Sequence, residues 1–314
     1  MLRLLRPRIE AALAAAGGSP LTADLGANRP WLRLASFIAL SALLIVTAMI
    51  VMAVILMAVP GLEQRTRFID NLPDTPLRLL AESDQVVFLG VILGAVAVAI
   101  LTAAALTYRR ALAEFLWPGR RFAVSHLWLG FLVMTCITVV LTPVYLLTGS
   151  VWDPPVLDPQ YLAGSRLIYA AAMVGGLLIA AAAEEVVFRG VFLRLTGRVT
   201  RNALLLCLIN GVAFSAFHLD PDPVAFIARG IAGAVWTWAA LRLGGLEFAI
   251  GAHLANNLFI ALFWQPFSEA STGGSMHWAG LGFELATALV VVLFVERVAQ
   301  ASETPPGLPA RAAA

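Results

Sequence analysis

Hydrophobic residues occur along this chain in long runs, and the short segments between the runs hold most of the charged residues. A helix needs about 20 apolar residues to cross the hydrocarbon core of a bilayer. The runs lack the alternation of membrane β-strands, and only helices or closed barrels satisfy the backbone in lipid. The pattern therefore predicts an all-α membrane protein, a bundle of about eight transmembrane helices. The eight runs cover residues 34–59, 86–106, 127–147, 167–195, 203–217, 224–241, 246–263 and 281–295.

The composition agrees with a lipid environment and divides the chain into three parts. Hydrophobic residues make up 60% of the chain and charged residues 13%, whereas soluble domains contain about 25% charged residues. Residues 1–33 are predicted to be a cytoplasmic segment, either an amphipathic surface helix or a partly ordered tail. Residues 34–300 form the bundle, and the Pro- and Ala-rich residues 301–314 are expected to be disordered. A net charge of +2 without a basic stripe argues against a nucleic-acid partner and leaves the lipid bilayer.

The distribution of arginine predicts how the bundle is oriented. All 21 basic residues are arginine, which suggests a GC-rich bacterial genome. The predicted location is the cell inner membrane. Arginines cluster before the first run, between the second and third, and at Arg194, Arg198 and Arg201. The loops on the opposite side are acidic, and the positive-inside rule then places both termini in the cytoplasm. The acidic loop residues are Glu63, Asp70, Asp74, Glu82, Asp84, Asp153, Asp158, Asp220 and Asp222.

Three groups of polar residues interrupt the apolar runs. Such residues are costly in a membrane helix and are functional candidates. Glu185 and Arg189 are four residues apart in the fourth run, so they share a helix face and can form an ion pair that only fixes packing or that supports a site. Glu184 points about 100° away from Glu185. It is therefore free to face a polar cavity.

The other two groups supply imidazoles. His218 ends the fifth run, and Phe214, one turn earlier, can pack on its ring. His253 and Asn257 are four apart in the seventh run and face the same way. They either bridge helices by hydrogen bonds or act together at a site. Arg229 and Glu284 are interpreted as residues near helix ends that snorkel to the interface.

An acid with two histidines can hydrolyse an amide by two routes, and both stay open here. In the first route, Glu184, His218 and His253 bind Zn²⁺, which activates a water molecule. In the second route no metal is used: Glu184 is the general base on a water steadied by His218, while His253 and Asn257 stabilise the oxyanion. A helical HExxH motif is absent, which excludes the usual zincin geometry.

The three motifs together resemble the CPBP family, which contains the type II CAAX prenyl proteases and the Abi proteins, involved in bacteriocin processing or immunity. They are Glu184-Glu185-x-x-x-Arg189, Phe214-x-x-x-His218 and His253-x-x-x-Asn257, in that order on successive apolar runs. The resemblance implies a protease core at about 164–265 and an intramembrane endopeptidase. Its substrates would be membrane-associated or lipidated peptides or proteins. It also favours an active site that opens to the cytoplasm.

Two other functions compete with proteolysis. A membrane transporter could use the same residues as a proton relay or substrate path, although the internal repeat common in transporters is absent from the sequence. A non-catalytic peptide-binding or immunity protein could share the fold. A cleavage assay on a Glu184 variant separates these alternatives from a protease.

Overall fold

A computed structural model describes residues 2–26, 28–59, 61, 77–147, 152–272 and 278–303. Within these ranges all regular structure is helical. The helices are α1 Leu2–Gly17, α2 Pro30–Ala58, α3 Arg78–Tyr108, α4 Leu112–Leu116, α5 Val124–Leu147, α6 Ala163–Glu185, α7 Ala203–Phe217, α8 Pro223–Leu243, α9 Glu247–Phe263, α10 Phe267–Thr272 and α11 Ala279–Glu303. Helix α6 continues through a π-helical segment, Val186–Phe192, and a final turn, Leu193–Thr196.

Each of the eight apolar runs is helical, which confirms the all-α membrane fold. Among the described residues, five helices are long and apolar enough to cross a membrane: α2, α3, α5, α6 with its continuation to Thr196, and α8. The apolar helices α7 and α9 are shorter than these. A total of eight crossings therefore stays a prediction.

The N-terminal segment and the C-terminal tail differ in how far the structure describes them. Residues 2–17 form the helix α1, which packs against α7 and α8 and completely buries Ala16. This favours the helix over a partly ordered tail. α11 runs to Glu303, three residues into the stretch assigned to a tail, and residues 304–314 lie outside the described residues.

Part of the acidic loop predicted before α3 belongs to the helix itself. Glu63, Asp70 and Asp74 lie outside the described residues, but Glu82 and Asp84 belong to α3 and not to a loop. Glu82 is fully buried and accepts hydrogen bonds from the Phe267 backbone N–H (2.9 Å) and the Ser268 hydroxyl (2.6 Å). Hydropathy assigns polar residues to loops, and these partners, distant in sequence, explain why that rule fails here.

Small residues bring the central helices close together. Gly90 in α3 and Gly176 in α6 touch so closely that a Cβ on either would meet the backbone of the other helix. Gly251 in α9 and Gly130 in α5 have the same role at a second crossing. Close contact of this kind is a principal source of helix association in membranes. It places the motif-bearing helices α6 and α9 in the interior of the bundle, where they contact each other.

Candidate active site

The change from α- to π-helix in α6 lies immediately after the two adjacent glutamates. A π-helical turn alters the direction in which side chains leave the helix, and such turns are frequent at functional sites. Arg189 lies within the π segment. Glu184 lines a cavity, whereas Glu185 and Arg189 are fully buried behind it.

Glu185 joins Arg189 to His253. Its Oε1 accepts a hydrogen bond from Nη1 of Arg189 (3.1 Å) and another from Nδ1 of His253 (3.0 Å). Arg189 also donates from Nη2 to the carbonyl of Gly233 (2.8 Å). Because an ionised carboxylate only accepts hydrogen bonds, Nδ1 of His253 carries a proton and its Nε2 is left for the cavity.

Aromatic rings surround this buried network. The Arg189 guanidinium carbon lies 4.6 Å from the centre of the Phe214 ring, a cation–π contact. Trp236 stacks on His253 with ring centres 4.4 Å apart and planes at 25°. Phe214 also contacts His218, at 4.8 Å between ring centres, as its position one turn earlier predicted. The rings of α7 and α8 thus fix the orientation of both imidazoles.

His218 faces Glu184 across a short gap. Nδ1 of His218 donates to the carbonyl of Phe214 (2.8 Å), which leaves Nε2 on the side of Glu184. His218 Nε2 and Glu184 Oε2 are 3.9 Å apart, beyond the range of a direct hydrogen bond. Glu184 Oε2 is buried and has no hydrogen-bond partner among the described residues. Two groups that can handle protons therefore face each other without being bonded to each other.

These side chains line one cavity of about 670 Å³. Glu184, His218, His253 and Asn257 contribute to its wall, and so does Asn256. Nδ2 of Asn256 donates to Oδ1 of Asn257 (3.2 Å), which leaves the Asn257 amide N–H groups for another partner. The structure thus brings all six predicted site residues together, four at the cavity and two behind it.

The zinc site of the first hydrolytic route, on Glu184, His218 and His253, is not supported by this arrangement. Among the described residues, no group of three or more His, Cys, Asp and Glu side chains is placed to hold a metal ion. Protein zinc sites use three or four converging ligands. This donor set does not fit that requirement.

The interpretation of Arg229 as a residue that snorkels to the interface stays a prediction, but its side chain also reaches the cavity. Arg229 lies in the second turn of α8 and lines the cavity, where Nη1 donates to Oδ2 of Asp220 (2.6 Å). Asp220 belongs to the loop between α7 and α8. The backbone N–H of Asp222 and the Arg229 guanidinium donate to its carboxylate and lower its pKa below the usual range.

Glu284, the other residue interpreted as interfacial, also lines the cavity. Its neighbours at the spacing of one helix face, Thr287, Ala288 and Val291, line the cavity with it. That spacing was a signal available in the sequence. Trp236 gave no such signal, because an aromatic residue in an apolar run looks like any core residue.

The fold and the site together define a helical membrane protein with a polar cavity in its interior. Residues 166–259 match the family model described as type II CAAX prenyl endopeptidase Rce1-like. This segment, which contains all six motif residues, is similar to that family, and the family resemblance predicted from the motifs is confirmed over these residues.

A relative in Bacillus subtilis (strain 168) gives no further information on function. The protein YyaK, described as uncharacterized, is 36% identical over 124 residues, which are 37% of this chain and 42% of YyaK. The chain thus matches less than half the length of that relative. No solved structure matches the chain.

Proposed function

We propose that this chain is an intramembrane endopeptidase that uses water activated by Glu184 and His218. One observation carries the proposal: Glu184 from α6, His218 at the end of α7, and His253 and Asn257 from α9 line one cavity within a segment that matches an endopeptidase family. The enzyme would act as a multi-pass protein of the cell inner membrane with both termini in the cytoplasm.

The side chains suit a general-base reaction. A water molecule between Glu184 and His218 would give a proton to the Glu184 carboxylate and donate its second hydrogen to Nε2 of His218. The water oxygen adds to the carbonyl carbon of the peptide bond. The π electrons of that carbonyl group move to the carbonyl oxygen, which becomes the oxyanion. The carbon–nitrogen bond then breaks, and the proton held by Glu184 passes to the leaving nitrogen.

Asn257 and His253 would stabilise the oxyanion. The oxygen of the Asn257 amide already accepts a hydrogen bond from Asn256, so the amide N–H group is available to donate to the oxyanion. His253, whose Nδ1 donates to Glu185, can donate to the oxyanion from Nε2 when that nitrogen also carries a proton. Glu185 and Arg189 do not line the cavity and act here by positioning His253.

The substrates would be peptides or proteins held in or at the membrane, including lipidated ones. The cavity lies inside an apolar bundle, and its wall combines polar groups with aromatic and aliphatic side chains. A peptide segment already in the bilayer reaches such a cavity without crossing into water. An apolar attachment would keep the substrate close to it.

A cleavage assay with matched variants tests the proposal. Purified protein in lipid nanodiscs is mixed with a quenched fluorescent peptide library, and Glu184→Gln should reduce cleavage by at least about 100-fold. Glu10→Gln, an exposed change in α1, should leave the rate unchanged. Cleavage at the normal rate by a correctly folded Glu184→Gln protein would overturn the proposal.

A chelator decides between the two hydrolytic routes. In the metal-free route, cleavage continues after EDTA treatment and dialysis. Loss of cleavage with recovery on addition of Zn²⁺ would restore the metal route in place of the one proposed.

A further inference from the structure

One face of α11 forms a wall of the cavity. Glu284, Thr287, Ala288 and Val291 follow the i, i+3, i+4, i+7 spacing, and all four line it. α11 lies outside residues 166–259, the segment that matches the endopeptidase family. Part of the wall around the candidate active site is therefore supplied by an element outside the matched domain.

Glu284 has no basic partner among the described residues, unlike three other glutamates of the bundle. Glu82 pairs with Arg78 (3.1 Å), and Glu247 pairs with Arg120 (2.6 Å). On α11 itself, Glu296 pairs with Arg242 (2.7 Å). Among the described residues, Glu284 forms neither an ion pair nor a hydrogen bond, although it lies in an apolar helix.

The arginine that lines the same cavity does not compensate Glu284. Arg229 is bound to Asp220 on the loop between α7 and α8, at 2.6 Å. Glu284 thus presents an unpaired carboxyl group to a cavity large enough for part of a peptide. A carboxylate inside a membrane protein is costly unless a positive group approaches it.

The surroundings of Glu284 suit a long cationic side chain. Tyr145, near the end of α5, and Gln265, just after α9, line the cavity with Glu284. The Tyr145 ring is packed against Phe283 with ring centres 4.2 Å apart. Aromatic surface accepts the methylene stem of Lys or Arg while a carboxylate binds the charged end.

We propose that Glu284 is a specificity-determining residue that binds a Lys or Arg side chain of the substrate peptide. The inference rests on the proposed function, because it treats the cavity as the peptide site. Glu284 takes no part in the hydrolytic step, so its removal changes which peptides bind and leaves the reacting groups in place.

The test compares peptides that differ by one residue. The probes are short fluorescein-labelled peptides of Ala, Leu and Gln that carry a single Lys at each position in turn, each compared with the peptide that has Gln at that position. Their binding to the protein in nanodiscs is measured by fluorescence anisotropy. At one position, the wild-type protein should bind the Lys peptide about tenfold more tightly than the Gln peptide. This ratio corresponds to about 1.4 kcal/mol.

Variants of α11 assign that preference to Glu284. Glu284→Gln should reduce the Lys preference to less than about twofold, while Glu10→Gln should retain it. Thr287→Lys adds a positive charge one turn away on the same face, so it should also weaken binding of the Lys peptide. It keeps the test decisive if Glu284→Gln fails to fold.

The outcomes separate this inference from the proposed function. If no position prefers Lys, or if Glu284→Gln keeps the preference, the cationic subsite is wrong even where cleavage continues. If the Lys preference follows Glu284 but no peptide is cleaved, the subsite stands and the proposed proteolysis fails.

Discussion

Glu185 shows how one buried carboxylate organises several parts of the site. A single oxygen accepts hydrogen bonds from Arg189 in the next turn and from His253 in α9. Arg189 and Glu185 are completely buried, so each charge depends on the other. The pair thus fixes the protonated nitrogen of His253 and links α6 to α9.

Removing this carboxylate should destabilise the protein strongly. Glu185→Ala leaves the Arg189 guanidinium buried without its counter-charge, which costs about 3–5 kcal/mol. Glu185→Gln keeps an oxygen that can accept from His253, so it should cost less than the alanine change. Unfolding in mixed detergent micelles measures the difference, with the exposed Glu10→Ala expected to stay within about 0.5 kcal/mol of wild type. Wild-type stability of Glu185→Ala would contradict this role.

Local spacing predicted some contacts of the site and missed others. The pairs Glu185–Arg189 and Phe214–His218 are each four residues apart, and the structure confirms both contacts. The bond between Glu185 and His253 joins residues 68 positions apart. No local pattern encodes such a bond, because it depends on how α6 and α9 pack.

The crossing of α5 and α9 sets the position of His253. Gly251, two residues before His253, lies against the backbone of Leu127 in α5. A side chain there would push the two helices apart, and His253 would move away from Glu185. The position of an active-site side chain thus depends on a glycine that takes no part in chemistry.

Gly251→Ala should therefore destabilise the bundle by about 1–3 kcal/mol, the usual cost of overpacking. Gly282→Ala is the matched control, because a Cβ at Gly282 in α11 meets open space. That change should be neutral or slightly stabilising, since alanine favours helix more than glycine does. Thermal unfolding in detergent compares the two variants. Equal stability of the two would contradict the close contact.

At the element level, hydropathy predicted the helices better than their details. The run 203–217 coincides with α7, whereas α3 begins at Arg78, eight residues before the run that predicted it. In the polar first turns of α3, Glu82 accepts hydrogen bonds from Phe267 and Ser268 of α10. Hydropathy does not detect such hydrogen bonds, so it does not predict that these turns are helical. The π segment after Glu185 likewise has no signature in an apolar pattern.

Across the whole molecule, the cavity lies in the half of the bundle away from the arginine-rich turn. That turn, Arg194–Arg201, precedes α7, and His218 follows α7 about 22 Å further along the helix axis. Tyr145 and Gln265, which line the cavity, lie at the ends of α5 and α9 on the His218 side. If the arginine-rich turn is cytoplasmic, the cavity opens on the opposite side. The cytoplasmic opening that the family resemblance favours conflicts with that orientation.

Cysteine labelling should decide the orientation. In a background with Cys136→Ser and Cys207→Ala, Gln160→Cys marks the loop between α5 and α6, and Val199→Cys marks the arginine-rich turn. Both positions are exposed. A membrane-impermeant maleimide applied to spheroplasts should label Gln160→Cys at once, and Val199→Cys only after permeabilisation. The reverse pattern would place the termini outside and the cavity towards the cytoplasm.

The central claim is that Glu184 and His218 act on the same water molecule. A double-mutant cycle on single-turnover peptide cleavage tests it most directly, with Glu184→Gln, His218→Ala and the combined variant measured in nanodiscs. Residues that act as a unit give non-additive losses. The combined variant should therefore lose about as much activity as the more damaged single variant. Losses that multiply, or a single variant with full activity, would contradict the shared water.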